Sequence, residues 1–304
     1  MGPLKTKMLN EMRLRNFSEK TVKAYLCYIQ DLANHHRRSP ALLSTEDVKD
    51  YLLHMINERK AAASTVNLAY SSFKFFYTRV VDRGDVIEAV PRPRKGKTKP
   101  VVLGVSEVRG ILDVTTNIKH KTILMTIYSS GLRVGEVVNL RVSDIDSERM
   151  QMFIRCAKGR RDRYVMLSRT NLEMLRTYYK IYRPDEWMFY SAEGRHKQYS
   201  IRSVEKVFKS AAKKAGIAKN VTVHSLRHSF ATHMLENGID LHHIQLLMGH
   251  ASPKTTSVYL HVQKKDLLKI KSPLDAMAAD GREKQTSESS PADRGGGRVS
   301  HVRR

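Results

Sequence analysis

T-V-H-S-L-R-H-S-F-A-T-H-M-L-E-N-G-I-D-L-H-H-I-Q-L-L-M-G-H-A-S-P-K-T-T-S-V-Y-L-H, residues 222–261, reads as three short helices in succession. Leu226, Phe230, Met234 and Leu235 recur at helical spacing from Ser225 to Leu235, and Gly238 is placed to end that helix. Leu241, Ile244, Leu247 and Met248 form a second stripe ended by Gly249, which leaves His250 just past its C-terminus. Ser252 and Pro253 suit the N-cap and first turn of a third helix, with Tyr259 two turns in. His224 and Arg227 are three apart, so both project from one face at an N-terminal end, where backbone N–H groups and the helix dipole add positive potential. That combination suits a phosphate oxyanion. His228, four residues after His224, offers a rival metal pair. It lacks the intervening Glu of the zinc-protease pattern and an obvious third ligand, so no metal is expected. Tyr259 alone would read as a core aromatic, and His242, His243 and His261 as surface or packing residues.

The bulk of the chain sets the context. Its 304 residues suffice for two domains with separate cores, and its formal net charge is +24. A surface this basic suits a polyphosphate partner, with binding driven by counterion release. A ribosomal-type protein or a membrane-surface binder fits less well, because the 41% hydrophobic content is spread over periodic helices. Cys27 and Cys156 each sit in an apolar run and read as two buried free thiols. Neither a signal peptide nor a bilayer-spanning apolar run is evident, so a cytoplasmic protein, in a reducing compartment where DNA is available, is expected.

Residues 1–90 read as a helical domain. Ser18 caps a helix with Val22, Tyr25, Leu26, Ile29 and Leu32 on one stripe; Ser44 and Asp47 form a capping box before Val48, Tyr51, Leu52 and Met55. Ser64 opens a third helix with Val66, Tyr70, Phe73 and Tyr77. Lys20, Lys23, Lys49, Lys60 and Lys74 read as solvated surface. Residues 91–100, with Arg92, Arg94, Lys95, Lys97 and Lys99 among three prolines, read as a linker whose self-repulsion a DNA backbone would relieve. Residues 101–272 read as a second domain. In it Ser106 caps a helix, and the segments Met150–Ala157 and Tyr164–Leu167 form a hairpin whose tip carries Lys158, Arg160 and Arg161. Helices are expected at 171–180 and 203–214, and residues 273–304 read as a disordered tail.

Upstream, G-L-R-V-G-E at 131–136 reads as a loop opening a helix, with Arg133 held by Glu136 through a charge-assisted hydrogen bond. This motif, the Lys158 hairpin, H-S-L-R-H at 224–228, L-M-G-H at 247–250, T-T-S-V-Y-L-H at 255–261 and I-K-S-P-L-D at 270–275 occur in that order. Together they resemble the tyrosine recombinases, the family of phage integrases and Xer-type resolvases. The resemblance runs from about Met8 to about Asp275. It implies a mainly α fold with a small antiparallel β-sheet, made of an N-terminal helical core-binding (SAM-like) domain and an α+β catalytic domain. The spacing leaves no room for the insert of integron integrases. No arm-binding domain of the lambda type precedes Met8, so a simple Xer-like enzyme is expected.

The resemblance implies six catalytic positions: Arg133, Lys158, His224, Arg227, His250 and the nucleophile Tyr259. DNA contacts are expected from Arg92, Arg94, Lys95, Lys97, Lys99, Arg160 and Arg161. It further implies strand exchange through a 3′-phosphotyrosyl link and a Holliday junction, without metal, nucleotide or other cofactor. The implied assembly is a homotetramer on two double-stranded DNA sites, with a partner recombinase as an option. The segment from Tyr259 to about Ser272 is a candidate to dock on a neighbouring subunit. Two alternatives stay open at this point: a non-catalytic DNA-binding protein on the same scaffold, and relaxation of supercoils as by a type IB topoisomerase.

Overall fold

A computed structural model describes residues 2–94, 100–157 and 161–249. The chain divides into two compact units, Met1–Thr98 and Lys99–Arg304.

The first unit holds α1 (Gly2–Leu14), α2 (Glu19–His36), α3 (Thr45–Asn57), α4 (Ala63–Arg79) and α5 (Gly84–Glu88). The starts of α2 and α3 have a local chemical cause. Ser18 Oγ accepts the Thr21 N–H to start α2, and Ser44 and Asp47 close a reciprocal capping box on α3. α4 starts at Ala63, with Ala62 and not a serine at its cap. Its packing therefore outweighs the local signal at Ser64: Val66, Phe73, Phe76 and Tyr77 are all buried. The interior is stitched by side chain to backbone bonds, Ser72 Oγ to the Tyr25 carbonyl and Tyr77 hydroxyl to the Pro40 carbonyl, each 2.8 Å. α1, which the sequence reading passed over, contributes the buried Met8 and Met12. Cys27 is a free thiol, but it is exposed rather than buried. Two residues before the buried Ile29, it points roughly 200° around α2 from that side chain. The side chain of Cys156 lies outside the described residues.

In the second unit, α6 (Val105–Asp113), α7 (Ile118–Ser130) and α8 (Val134–Val138) precede a three-stranded antiparallel sheet in the order β1 (Ile145–Asp146), β2 (Gln151–Ala157), β3 (Arg161–Met166). Then come α9 (Arg169–Tyr182), the hairpin β4 (Tyr190–Ser191) and β5 (Gly194–Gln198), α10 (Ile201–Lys214), α11 (Val223–Glu236) and α12 (Leu241–Met248). Gly104 caps α6, with its N–H held by Glu107, so the expected cap at Ser106 is displaced by two residues. α7 is the central element, in contact with α9 and α11, and it buries Ile123, Leu124 and Ile127 together with Thr122 and Thr126. Both threonine hydroxyls donate to carbonyls one turn back, which makes their burial tolerable. Strand register pairs Phe153 with Tyr164 and Ile154 with Arg163, and a one-residue irregularity follows before Ala157 meets Arg161. Period-two alternation thus places Arg163 on the same face as the buried Val165.

Candidate active site

α7 ends at Gly131, whose backbone is left-handed at φ 61°. A Cβ there would fall 2.4 Å from Phe230 Cδ1 of α11, so only glycine satisfies both the turn and the close approach. The turn delivers Arg133 to the N-cap of α8. Glu136, three residues on, accepts the Arg133 N–H and a guanidinium N–H of the same residue, both at 2.8 Å.

Glu136 is the hub of the site and is nearly buried. From β3, Arg163 grips its carboxylate with both terminal nitrogens, at 3.0 and 2.9 Å. From α11, Arg227 Nη1 approaches it at 3.8 Å. Burial pushes the Glu136 carboxyl up, but hydrogen bonds and charge from Arg163, with those from Arg133, overcome this and hold it at about 2. One carboxylate among three guanidiniums leaves these four groups with an excess of two positive charges.

Arg227 is 1% exposed, the largest of the fully buried side chains among the described residues. Its Nη1 donates to the Gly131 carbonyl and its Nη2 to the Met248 carbonyl at 2.6 Å. Those carbonyls stand at the C-terminal ends of α7 and α12, where the helix dipole favours a cation. Arg227 therefore ties three helices at one point. Gly249, left-handed at φ 60°, turns the chain immediately after α12, as the sequence pattern indicated.

His224 stands in the first turn of α11, exposed at the surface of the unit. Partial burial, then the charges of Arg227 and Arg133, hold its imidazole below the ordinary histidine value, so it is neutral at pH 7 and can accept a proton. His228 packs edge-on against it with ring centroids 4.9 Å apart. Burial, followed by the charges of His224 and Arg227, brings His228 down to about 4. Among the described residues the two histidines gather no acidic or cysteine third ligand; the one such cluster, His35, His36 and Asp50, lies in the first unit.

The structure thus brings together Arg133, Glu136, His224 and Arg227 from four of the sequence-derived positions. Lys158, His250 and Tyr259 lie outside the described residues, as do Lys95, Lys97, Lys99 and Arg160, while the Arg161 side chain is likewise outside them. Arg92 and Arg94 are exposed; Arg92 Nε donates to the Asn67 side chain at 3.2 Å and its guanidinium lies 5.8 Å from the Tyr70 ring centroid, which ties the start of the basic run to the first unit. Arg163 went unread in the sequence. Its signal was there: a charged residue on the buried phase of an alternating strand.

Residues 102–266 match the phage integrase family, and residues 4–84 match the phage integrase N-terminal SAM-like domain. A putative integrase/recombinase of Sinorhizobium fredii is 38% identical over 91% of this chain and 90% of its own length. The tyrosine recombinase XerA of Pyrococcus horikoshii is 32% identical over 84% of this chain and 88% of its own. A crystal structure of a XerA recombinase overlays with a TM-score of 0.51 at 26% identity, covering 95% of this chain and 99% of that one. A lambda integrase dimer solved on a core site shares the fold, with a TM-score of 0.71 at 20% identity over 87% of this chain and 96% of that one. The chain belongs to the phage integrase family of site-specific tyrosine recombinases. Among the described residues no helix is long and apolar enough to cross a membrane.

Proposed function

We propose that this recombinase cuts and rejoins DNA through a 3′-phosphotyrosyl intermediate on Tyr259, without metal or ATP. The observation that carries the reading is the cationic cradle built on Glu136, with a neutral imidazole at its edge. The Tyr259 oxygen attacks the scissile phosphorus and the bond from phosphorus to the 5′ oxygen breaks. The phenol's proton passes to His224, because a phenol with a pKa near 10 is a weak nucleophile at neutral pH. Lys158 protonates the departing 5′ oxygen. Arg133 and Arg227 supply the positive field for the pentacoordinate phosphorane and His250 adds a hydrogen bond. Each such preorganised donor is typically worth roughly 3–4 kcal/mol in rate. The phosphotyrosyl bond conserves the phosphodiester's energy, so the reversal needs no cofactor.

Strand exchange then runs through a Holliday junction in a tetramer on two duplex sites, in which a partner recombinase can supply two of the subunits. Arg92, Arg94, Lys95, Lys97 and Lys99, in the linker that joins the DNA-binding domain, residues 1–90, to the catalytic domain, residues 101–272, track the DNA backbone, and Arg160 and Arg161 contact it beside the hairpin. The nucleoid is the place of action. A pool of duplexes of random sequence, each nicked near its centre to trap the covalent complex, tests this directly. Wild-type protein should yield adducts enriched in one sequence and Tyr259→Phe should yield none; an adduct with the Phe variant, or adducts without sequence preference, would overturn the reading.

A further inference from the structure

Arg163 stands five residues beyond Lys158, on the returning strand of the same hairpin and opposite Ile154. Besides its two-pronged grip on Glu136, its Nε donates to the Leu247 carbonyl at 3.2 Å. The chain at Gly249 passes so near that a Cβ there would lie 2.9 Å from Arg163 Cδ. One side chain therefore touches the hairpin, the start of α8 and the turn that His250 follows.

We infer that Arg163 is a positioning residue: it fixes Glu136, and through it Arg133, in register with the hairpin that carries Lys158 and the turn that leads to His250. The inference rests on the phosphotyrosine reading above. A buried ion pair is a poor source of stability, since desolvation offsets its attraction; what a planar fork supplies is direction. Arg133 holds both carboxylate oxygens, but only within the N-terminal turn of α8, which leaves that turn untied to the sheet. The bidentate contact from β3 sets the plane of the carboxylate, and the bond to the Leu247 carbonyl sets where α12 ends relative to that plane. Among the described residues, the charged and titratable groups facing Glu136 are Arg133 on its own element, Arg163 from β3, and Arg227 and His224 from α11. From α10 comes the apolar Ile201, beside Gly135. Arg163 and Arg227 both reach α12, at the Leu247 and Met248 carbonyls, and Arg163 does so from the hairpin itself.

The test uses the full chain, with Arg163→Met, Arg163→Lys and Glu136→Gln as variants. The nicked duplex recovered from the wild-type selection serves for single-turnover cleavage, and a carbon-13 glutamate label follows the Glu136 carboxyl. Arg163→Met should cut about 100-fold more slowly, as expected when a catalytic group is misplaced by about an ångström, with DNA affinity within a few-fold of wild type. Its Glu136 carboxyl should titrate at higher pH, because burial is then less opposed. Arg163→Lys, which keeps the charge and loses the fork, should recover the titration more fully than the rate. Glu136→Gln should add little to Arg163→Met. The inference is overturned if the two losses are additive, or if the slowing merely follows a loss of folded protein while Arg163→Lys restores rate and titration equally. Were wild-type protein to form no adduct, the phosphotyrosine reading would fail; even then a Glu136 titration unmoved by Arg163→Met would sink the positioning role by itself.

Discussion

Glu136 concentrates the chemistry of the site in one carboxylate, and its neighbours fix how acid reaches the fold. In the folded protein it is held at about 2, against an ordinary value of 4.5, so its contribution to stability is complete above 4.5 and is lost as pH falls towards 2. His228 acts earlier. It titrates at about 4 when folded and at 6.5 as a free side chain, so the unfolded chain takes up more protons between those values. Stability from this group is full above 6.5 and declines as pH drops to 4. Urea midpoints measured at pH 7 and pH 4.5 should differ less for His228→Asn than for wild type, and an equal difference would contradict the buried neutral imidazole. Gly131→Ala should cost about 1–2 kcal/mol for the left-handed backbone alone, and more for displacing Phe230. The motif residues Arg133, His224 and Arg227 were legible because their spacing repeats a known order. Arg163 was not, since its role depends on a strand register and on which face of the sheet is buried.

Elements were readable where a side chain ends them. The caps at Ser18, Ser44 and Gly249 stand as read, because each satisfies backbone groups of its own helix end through a local bond. Ser44→Ala should cost about 1 kcal/mol, seen as a lower denaturation midpoint, and no change would mean that packing alone fixes α3. α1 escaped notice because its core face is sparse: Met8 and Met12 are buried and Leu4 packs beside them, in a run interrupted by Lys5, Lys7 and Arg13. The β4–β5 hairpin escaped because Arg195, His196, Lys197 and Gln198 are all exposed, leaving no alternation to see. At Ser64 and Ser106 a plausible cap lay one or two residues inside the true start. Tertiary contacts decided those boundaries.

Across the molecule, the charge of +24 should govern how the protein meets DNA. With six to ten phosphates neutralised, affinity for a duplex should fall about 10³–10⁵-fold between 50 and 200 mM salt; a flat response would contradict an electrostatic footprint of that size. The two units carry different duties in this scheme, the first bringing a helical surface and the second the cradle around Glu136. What joins charge to chemistry is the identity of the residue that becomes bonded to DNA. Trapped complexes on a nicked duplex, digested with protease and nuclease, should give one peptide whose mass gain fragments to Tyr259, and the released strand should carry a 5′-hydroxyl that a kinase can label. A nucleotide on any other residue, or a 5′-phosphate on the released strand, would contradict it.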